Sequence, residues 1–366
     1  MRIAFFGSSL VSAYWNGAAT YYRGIIRGLA KLGHRVTFYE PDAFDRQKNR
    51  DMEDPDWARV VVYSADSTEN VDRSLSEATE CDVLIKASGV GVFDEYLESR
   101  VPRIAPGKVT IFWDVDAPAT LDRVLNNPHD AFRRLIPEYT AVLTYGGGAR
   151  VVERYLLLGA KSCLPVYNAA DLDSHYLVPP NDVFRADLSL MANRLPDREA
   201  RIDEFFLGPA NVLLDQIFLL GGNGWEDKPK PTSVRYVGHV PTNKHNVVNC
   251  SAKAVLNVNR ASMAAYGFSP PTRIFEAAAA RSCVITDRWE GIESFLKPDH
   301  EILVAECGRD VVALLKDLTP ETACKIGNAA YRRIADEHTY DHRARQVDAF
   351  LRQLAPASLE CTAVQA

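Results

Sequence analysis

The sequence predicts an α/β protein built from two doubly wound domains that face each other across a cleft. Three observations carry that prediction. At 366 residues the chain is long enough for two domains. Short apolar runs alternate with helical patterns through the first half, and the same alternation restarts in the second. Between the halves, Pro179-Pro180-Asn181-Asp182 forms a turn-rich polar interval where the pattern breaks.

Along the chain, RIAFFG reads as a buried strand, AATYYRGIIRGLAKLG has helical spacing, and HRVTFYE is a second strand. ARVVVYS, CDVLIKAS, KVTIFWDVD, AVLTYGG and KSCLPVYN supply the remaining strands of the first domain. Helical stretches such as GGARVVERYLLLGA lie between them. The second domain opens with the strand ADLSLMAN. A helix over DREARIDEFFLGPANVLL comes next, which Pro209 bends. QIFLLGG, VRYVGHV, AKAVLNVN, CVITD and EILVAE are its further strands, and the chain is helical from RDVVALLKDL onward. The expected organisation is a first domain over 1–178 and a second over 179–338. A C-terminal helix over 339–355 can pack back on the first, and 356–366 is a disordered tail.

Hydrophobic residues make up 47% and charged residues 25%, so a large core needs no disulfide or metal staple. The net charge of −6, without a Lys/Arg block, argues against a nucleic-acid partner but leaves room for a local basic pocket. Seven cysteines are scattered singly, with no C-x-x-C, which points to a reducing compartment and no structural zinc. MRIAFFGSSL runs straight into a strand and lacks the features of a signal peptide. No apolar run approaches the roughly 18 residues of a membrane span. The expectation is a cytoplasmic protein with no metal site.

Ligands of doubly wound sheets bind at the carboxyl ends of the strands. In SPPTRIFEAAAARSCVITDRWEGIESF, Pro270 and Pro271 suit a helix start, and Arg273 and Glu276 share one face of that helix. The helix must lead into the strand CVITD, so its start lies on the ligand side. There a cation suits phosphate, and a carboxylate can accept from sugar or ribose hydroxyls, although a plain surface ion pair fits the spacing equally. IFWDVDAPATL ends a strand with Asp114 and Asp116. A carboxylate at such a place can deprotonate an acceptor or bind a sugar, or simply cap the next helix. Asp116 is the candidate base. Gly146, Gly147 and Gly148 let backbone approach a substrate or make a tight turn.

The run from Val234 to about Glu306 resembles the C-terminal half of GT-B nucleotide-sugar glycosyltransferases. VRYVGHV, RIFEAAAARSCVITDRWEGIESFL and EILVAE look most like the branch typified by the spore maturation protein CgeB. The resemblance implies that Glu276 holds the ribose of a nucleotide, and that Gly291 and Glu293 form the turn near the diphosphate or sugar. ADLSLMANRLPDREAR is similar to the segment whose basic residues contact the diphosphate, which assigns that role to Arg194, with Arg198 and Arg201 as helpers. WNGAATYYRGIIRGLAKLGHRV resembles the family's N-terminal loop, placing Asn16 and Gly17 near a phosphate or sugar. His239 falls in a segment used near the base, and Gly221, Gly222 and Asn223 fall at the nucleotide rim. His175 and His245 read as ordinary loop histidines.

The sequence departs from the retaining pattern of that family. Phe268 stands eight residues before Glu276, where the retaining group carries a second glutamate. Stereochemistry therefore does not carry over.

The resulting expectation is a metal-independent glycosyltransferase with no cofactor, whose substrates are a nucleotide-diphosphate sugar, UDP-sugar first, and an unidentified acceptor. Arginines in such a site would steady the charge growing on the departing diphosphate. Two other readings remain: a nucleotide-sugar epimerase or mutase, and a non-catalytic sugar-binding or coat-assembly protein. A nicotinamide dehydrogenase fits poorly, because the first strand–helix turn has no G-x-G-x-x-G.

Overall fold

The computed structural model describes residues 1–14 and 16–355; Trp15 and the tail from Pro356 lie outside the described residues. The chain forms two compact units, one of Met1–Tyr167 with the segment that begins at Tyr340, the other of Asn168–Thr339.

The first unit has seven parallel strands: β1 (Arg2–Phe6), β2 (Arg35–Asp42), β3 (Arg59–Ser64), β4 (Val83–Ala87), β5 (Val109–Asp114), β6 (Ala141–Thr144) and β7 (Cys163–Pro165). Their order is β3-β2-β1-β4-β5-β6-β7. The second has six, also parallel: β8 (Ala186–Met191), β9 (Phe218–Gly221), β10 (Val234–Tyr236), β11 (Ala252–Asn257), β12 (Val284–Asp287) and β13 (Leu303–Ala305). Their order is β10-β9-β8-β11-β12-β13. Every apolar run read as a strand in the sequence is a strand here. The central ones are buried along nearly their whole length, as β4, β5 and β12 show. Helices covering both faces of a parallel sheet leave no strand residue that has to be polar for water's sake.

Both sheets reverse their winding at one point, between β1 and β4 in the first and between β8 and β11 in the second. Outside the carboxyl ends of those strand pairs lie the crevices that a doubly wound sheet offers a ligand.

The helix Tyr340–Leu354 belongs to the first unit because the helix Ala19–Lys31 is notched to receive it. A Cβ at Gly24 would sit 2.2 Å from the Tyr340 ring, and one at Gly28 would sit 2.6 Å from the Ala344 methyl. Lys31 pairs with Asp341 at 3.1 Å, and His34, just past the first helix, pairs with Asp348 at 2.8 Å. Residues 168–178 are bonded into the second unit. Asn168 Nδ2 donates to the Pro270 carbonyl at 3.0 Å, and Asn246 Nδ2 donates to that of Ser174 at 2.9 Å. The division falls between Tyr167 and Asn168, ahead of the boundary at 178 that the turn-rich interval suggests.

The stretch that reads as one helix bent by Pro209 is three pieces: α-helix Pro196–Ile202, a π-helical turn Asp203–Leu207 and α-helix Gly208–Val212. Proline has no N–H and its ring crowds the preceding turn, so the ladder widens before Pro209 instead of kinking at it. No helix among the described residues is long and apolar enough to cross a membrane.

Candidate functional site

Two of the residues singled out in the sequence meet at the crevice of the second unit. Pro271 caps the helix Thr272–Ala279, and its buried face, from Ile274 through Ala277 to Ala279, lies against the core. The small side chains bring the helix close and project Arg273 across the gap where the winding reverses. Arg273 Nη1 donates to Asn257 Oδ1 at 2.9 Å, at the end of β11, and Nη2 donates to the carbonyl of Met191, at the end of β8. Burial pulls this guanidinium down to about 10. Neighbouring Arg198 pulls in the same direction, while Glu276 and Asp287 oppose both. A cation in a crowded, partly dry place is one that an anion would stabilise.

Asp287 ends β12 and is fully buried. Its carboxylate accepts from the backbone N–H of Asn259 at 3.1 and 3.2 Å and pairs with Arg201. Burial raises its pKa, and the Arg201 contact pulls the other way. Three donor groups here are buried without a hydrogen-bond partner: Asn259 Nδ2 and Arg201 Nε, on residues bonded to Asp287, and Nε of Arg198, the neighbour of Arg273. A buried donor left unmade costs about 1–3 kcal/mol, so several together at strand ends call for an acceptor from outside the chain. Arg198 gives only its Nη2 to a protein group, the carbonyl of Asn193, at 2.8 Å.

Glu276 lies on the same helix, partly exposed, and its carboxylate makes no hydrogen bond or ion pair among the described residues. Its charge acts on His245, which begins the helix His245–Ser251. Burial holds that imidazole below its ordinary value, and Glu276 counters this. His245 Nε2 lies 3.3 Å from the Val240 carbonyl. His175, whose charge would also lower His245, is buried with Nδ1 unpartnered. An unpaired carboxylate near His245 can accept from hydroxyls.

The other candidates fall differently. Arg194 is engaged: its guanidinium pairs with Glu199 at 2.8 Å and Asp227 at 2.9 Å, the first pulling Glu199 down to about 2. Arg194 is thus committed to two carboxylates, whereas Arg201 pairs with one and, among the described residues, Arg198 and Arg273 pair with none. His239 is exposed in the loop after β10. Gly222, at φ +124°, has to be glycine, since a Cβ would stand 2.1 Å from the Ala192 carbonyl oxygen.

Gly291, at φ +92°, begins the turn Ile292–Ser294, and a Cβ there would lie 2.3 Å from the Phe268 ring. Phe268 itself sits at φ +43° with its N–H bonded to the Glu290 carbonyl at 2.6 Å. The Phe268 ring is thus seated directly on the Gly291 turn. Glu293 is exposed and 3.5 Å from Arg288.

In the first unit, Asn16 is buried and satisfied. It accepts from Ser8 Oγ at 2.9 Å and donates to the carbonyls of Ser9 and Ser12 at 2.8 and 3.0 Å. It closes the loop after β1 and has no free amide hydrogen left for a ligand. A Cβ at Gly17 would meet nothing within 4 Å, so no close approach requires glycine there. Asp114 is buried and held by Tyr155 Oη, by Thr120 Oγ1 at 3.0 Å and by the N–H of Asp116 at 3.1 Å. Asp116 occupies the cap position of the helix Ala117–Asn126 yet makes no capping bond, and its side chain is exposed.

Residues 198–349 match the family model described as glycosyl transferase-like. No curated protein matches the chain. Among solved structures, it is similar to an α-glucosyltransferase in complex with UDP, at 12% identity over 96% of this chain and all of that one, TM-score 0.69. It is also similar to Anabaena HepE in complex with UDP-glucose, at 11% identity over 96% and 100%, TM-score 0.66. A third is sucrose-phosphate synthase from Thermosynechococcus elongatus, at 14% identity over 97% and 99%, TM-score 0.65. The fold is GT-B. In this GT-B chain the family match starts at Arg198 and takes in Arg201, Asn257, Asn259, Arg273, Glu276 and Asp287.

In the sequence, Asn257, Asn259 and Asp287 read only as strand. Their signal is present all the same: NVN and D end apolar strands with polar side chains that a buried strand has no reason to carry.

Proposed function

We propose that this chain is a glycosyltransferase that binds a nucleotide-diphosphate sugar, UDP-sugar first, at the carboxyl ends of β8, β11 and β12. One observation carries the reading. Asn259 Nδ2, Arg201 Nε and Arg198 Nε are buried donors without acceptors, the first two on residues bonded to Asp287 and the third on a neighbour of Arg273. A pyrophosphate supplies the missing acceptors. The unpaired Glu276 carboxylate then takes the ribose hydroxyls, and the turn at Gly291 and Glu293 borders the sugar. The glycosyl transferase-like match over 198–349 and the UDP-bound structural neighbours support the same reading.

In the reaction, the bond between the sugar and the diphosphate breaks and negative charge grows on the leaving phosphate. Guanidinium groups already in place stabilise that charge without reorganising. Because these groups supply the positive charge, turnover is expected to persist in a chelator. Asp116, exposed at a strand end, is the candidate to take the acceptor's proton. Assignment to the CgeB-like branch and to the cytoplasm belongs to this same reading.

The test is thermal unfolding with UDP, UDP-glucose, GDP-sugars and TDP-sugars at millimolar concentration. A ligand at 100 times its Kd stabilises by about 2.7 kcal/mol. A rise in Tm with one nucleotide series supports the donor site, and no rise with any of them overturns it. Hydrolysis or transfer of the sugar, rather than its isomerisation without an acceptor, separates a transferase from an epimerase.

A further inference from the structure

The opposite end of the first sheet carries a cavity that the donor-site reading does not use. It measures about 830 Å³ and lies at the amino ends of β1, β2 and β3, against the helix Ala19–Lys31. Arg2, Arg35 and Arg59 each begin a strand. Arg2 and Arg35 are direct partners across β1 and β2, and Arg59 is the partner of Thr37, two residues beyond Arg35. The three therefore share one face of the sheet. Arg27 and Lys31, four apart on the helix, line the same cavity. Against these five cations the lining has one carboxylate, Asp56.

Like charges directly opposite on adjacent strands destabilise a sheet. Arg59 is offset by Glu77 and Lys31 by Asp341 at the rim, and Arg27 has an interaction of its own. The guanidinium groups of Arg2 and Arg35 have no hydrogen-bond partner among the described residues, although the Arg2 backbone N–H is bonded to Asp82 at 2.7 Å. Neither has a structural task that the fold explains. Trp57, partly buried, forms part of the wall.

We propose that this cavity is a second anion site, which takes a small metabolite carrying a diphosphate or two phosphates. The cations converge on one concavity instead of running along the surface, which fits a compact ligand and not a polymer. The volume is within the range of about 300–1,000 Å³ usual for small-molecule pockets. Arginine's planar fork matches phosphate oxygens two at a time. The site is independent of the donor crevice, which lies in the other unit.

The experiment replaces tryptophan by 5-fluorotryptophan in the full chain and follows the ¹⁹F resonance assigned to Trp57 by Trp57→Phe. Inorganic pyrophosphate is the first probe, with sulfate and chloride at matched ionic strength as controls. The expected result is a saturable shift with pyrophosphate that the controls do not give, weakened at least about tenfold in Arg2→Ala/Arg35→Ala. Both residues are exposed at strand starts, so circular dichroism and Tm of the double variant should match the parent. ADP and fructose 1,6-bisphosphate then distinguish a nucleotide source from a sugar-phosphate source, the tighter of the two naming it. A Trp57 resonance that stays still, or that moves equally with sulfate or in the double variant, overturns the proposal.

Discussion

The two units wind their sheets in the same order and finish the strand ends in opposite ways. In each, an arginine spans the point where the winding reverses. Arg273 joins the ends of β8 and β11, and Arg46 Nη1 joins the carbonyls of Ser8, after β1, and Val90, after β4, at 3.1 and 3.3 Å. In each, the fifth strand in topological order ends on a buried aspartate, Asp114 in β5 and Asp287 in β12. Asp114 is held by neutral hydroxyls and a backbone amide, Asp287 by a cation and a backbone amide. The loop after β1 closes on itself. Asn16 is satisfied, and Glu40 accepts from Ser9 Oγ, the Leu10 N–H and Gln47 Nε2. Arg46 leaves its Nε unmatched, but Arg23, on the helix that follows the loop, is committed to Asp51 and the Leu10 carbonyl. At the other crevice three arginines and an asparagine amide gather, with three of their donors open. Topology thus offers a crevice to both units, and leftover donors mark the one suited to a charged ligand.

Breaking the two arginine bridges should give the largest effects. Arg273→Ala takes the arginine donors from Asn257 Oδ1 and the Met191 carbonyl and should cost about 2–4 kcal/mol of stability. It should also abolish the rise in Tm with UDP. Arg46→Ala should cost a similar amount by urea denaturation, with the nucleotide-dependent rise retained. Equal loss of the nucleotide effect in both variants would erase the distinction between the crevices.

Gly291→Ala forces a side chain into the Phe268 ring at a left-handed backbone and should cost about 1–3 kcal/mol. Gly17→Ala should stay within about 0.5 kcal/mol. Partial recovery of Gly291→Ala by Phe268→Ala, seen as a rise in Tm over the single variant, would locate the strain at that contact.

Glu276→Gln should weaken UDP binding about tenfold, or about 1.4 kcal/mol, with little change in Tm because the carboxylate has no protein partner. Glu40→Gln should do the reverse, lowering Tm while leaving UDP affinity unchanged. Calorimetric titration and thermal unfolding on both variants check the pair.

The smallest effect concerns pH. Burial raises the pKa of Asp114 above its ordinary 3.8, so the folded state holds a proton that the unfolded state has already released. Stability then falls as pH rises from about 3.8 through the raised folded value, and the penalty is constant above it. Asp114→Asn should flatten that part of the urea-midpoint profile. Asp287→Asn should flatten it less, because Arg201 offsets the burial.

The thirteen strands were legible as short apolar runs, uninterrupted where a parallel strand is buried on both faces, as in β4, β5 and β12. Arg273 and Glu276 were legible for a related reason. A helix that leads into a parallel strand must begin at that strand's ligand end, and three-residue spacing fixes a shared face. The resemblance put Arg194 ahead of Arg198 and Arg201. Only the folded chain gives Arg194 to Glu199 and Asp227, 5 and 33 residues away, and leaves Arg198 and Arg201 with open donors. The same holds for Asn16, which looks like a ligand group until its loop closes on it, and for Arg2, Arg35 and Arg59, which meet only through strand register. Local periodicity is a property of neighbours in sequence, so it settles the elements. Hydrogen-bond satisfaction depends on groups far apart in the chain, so tertiary structure alone decides which polar side chains remain available to a ligand.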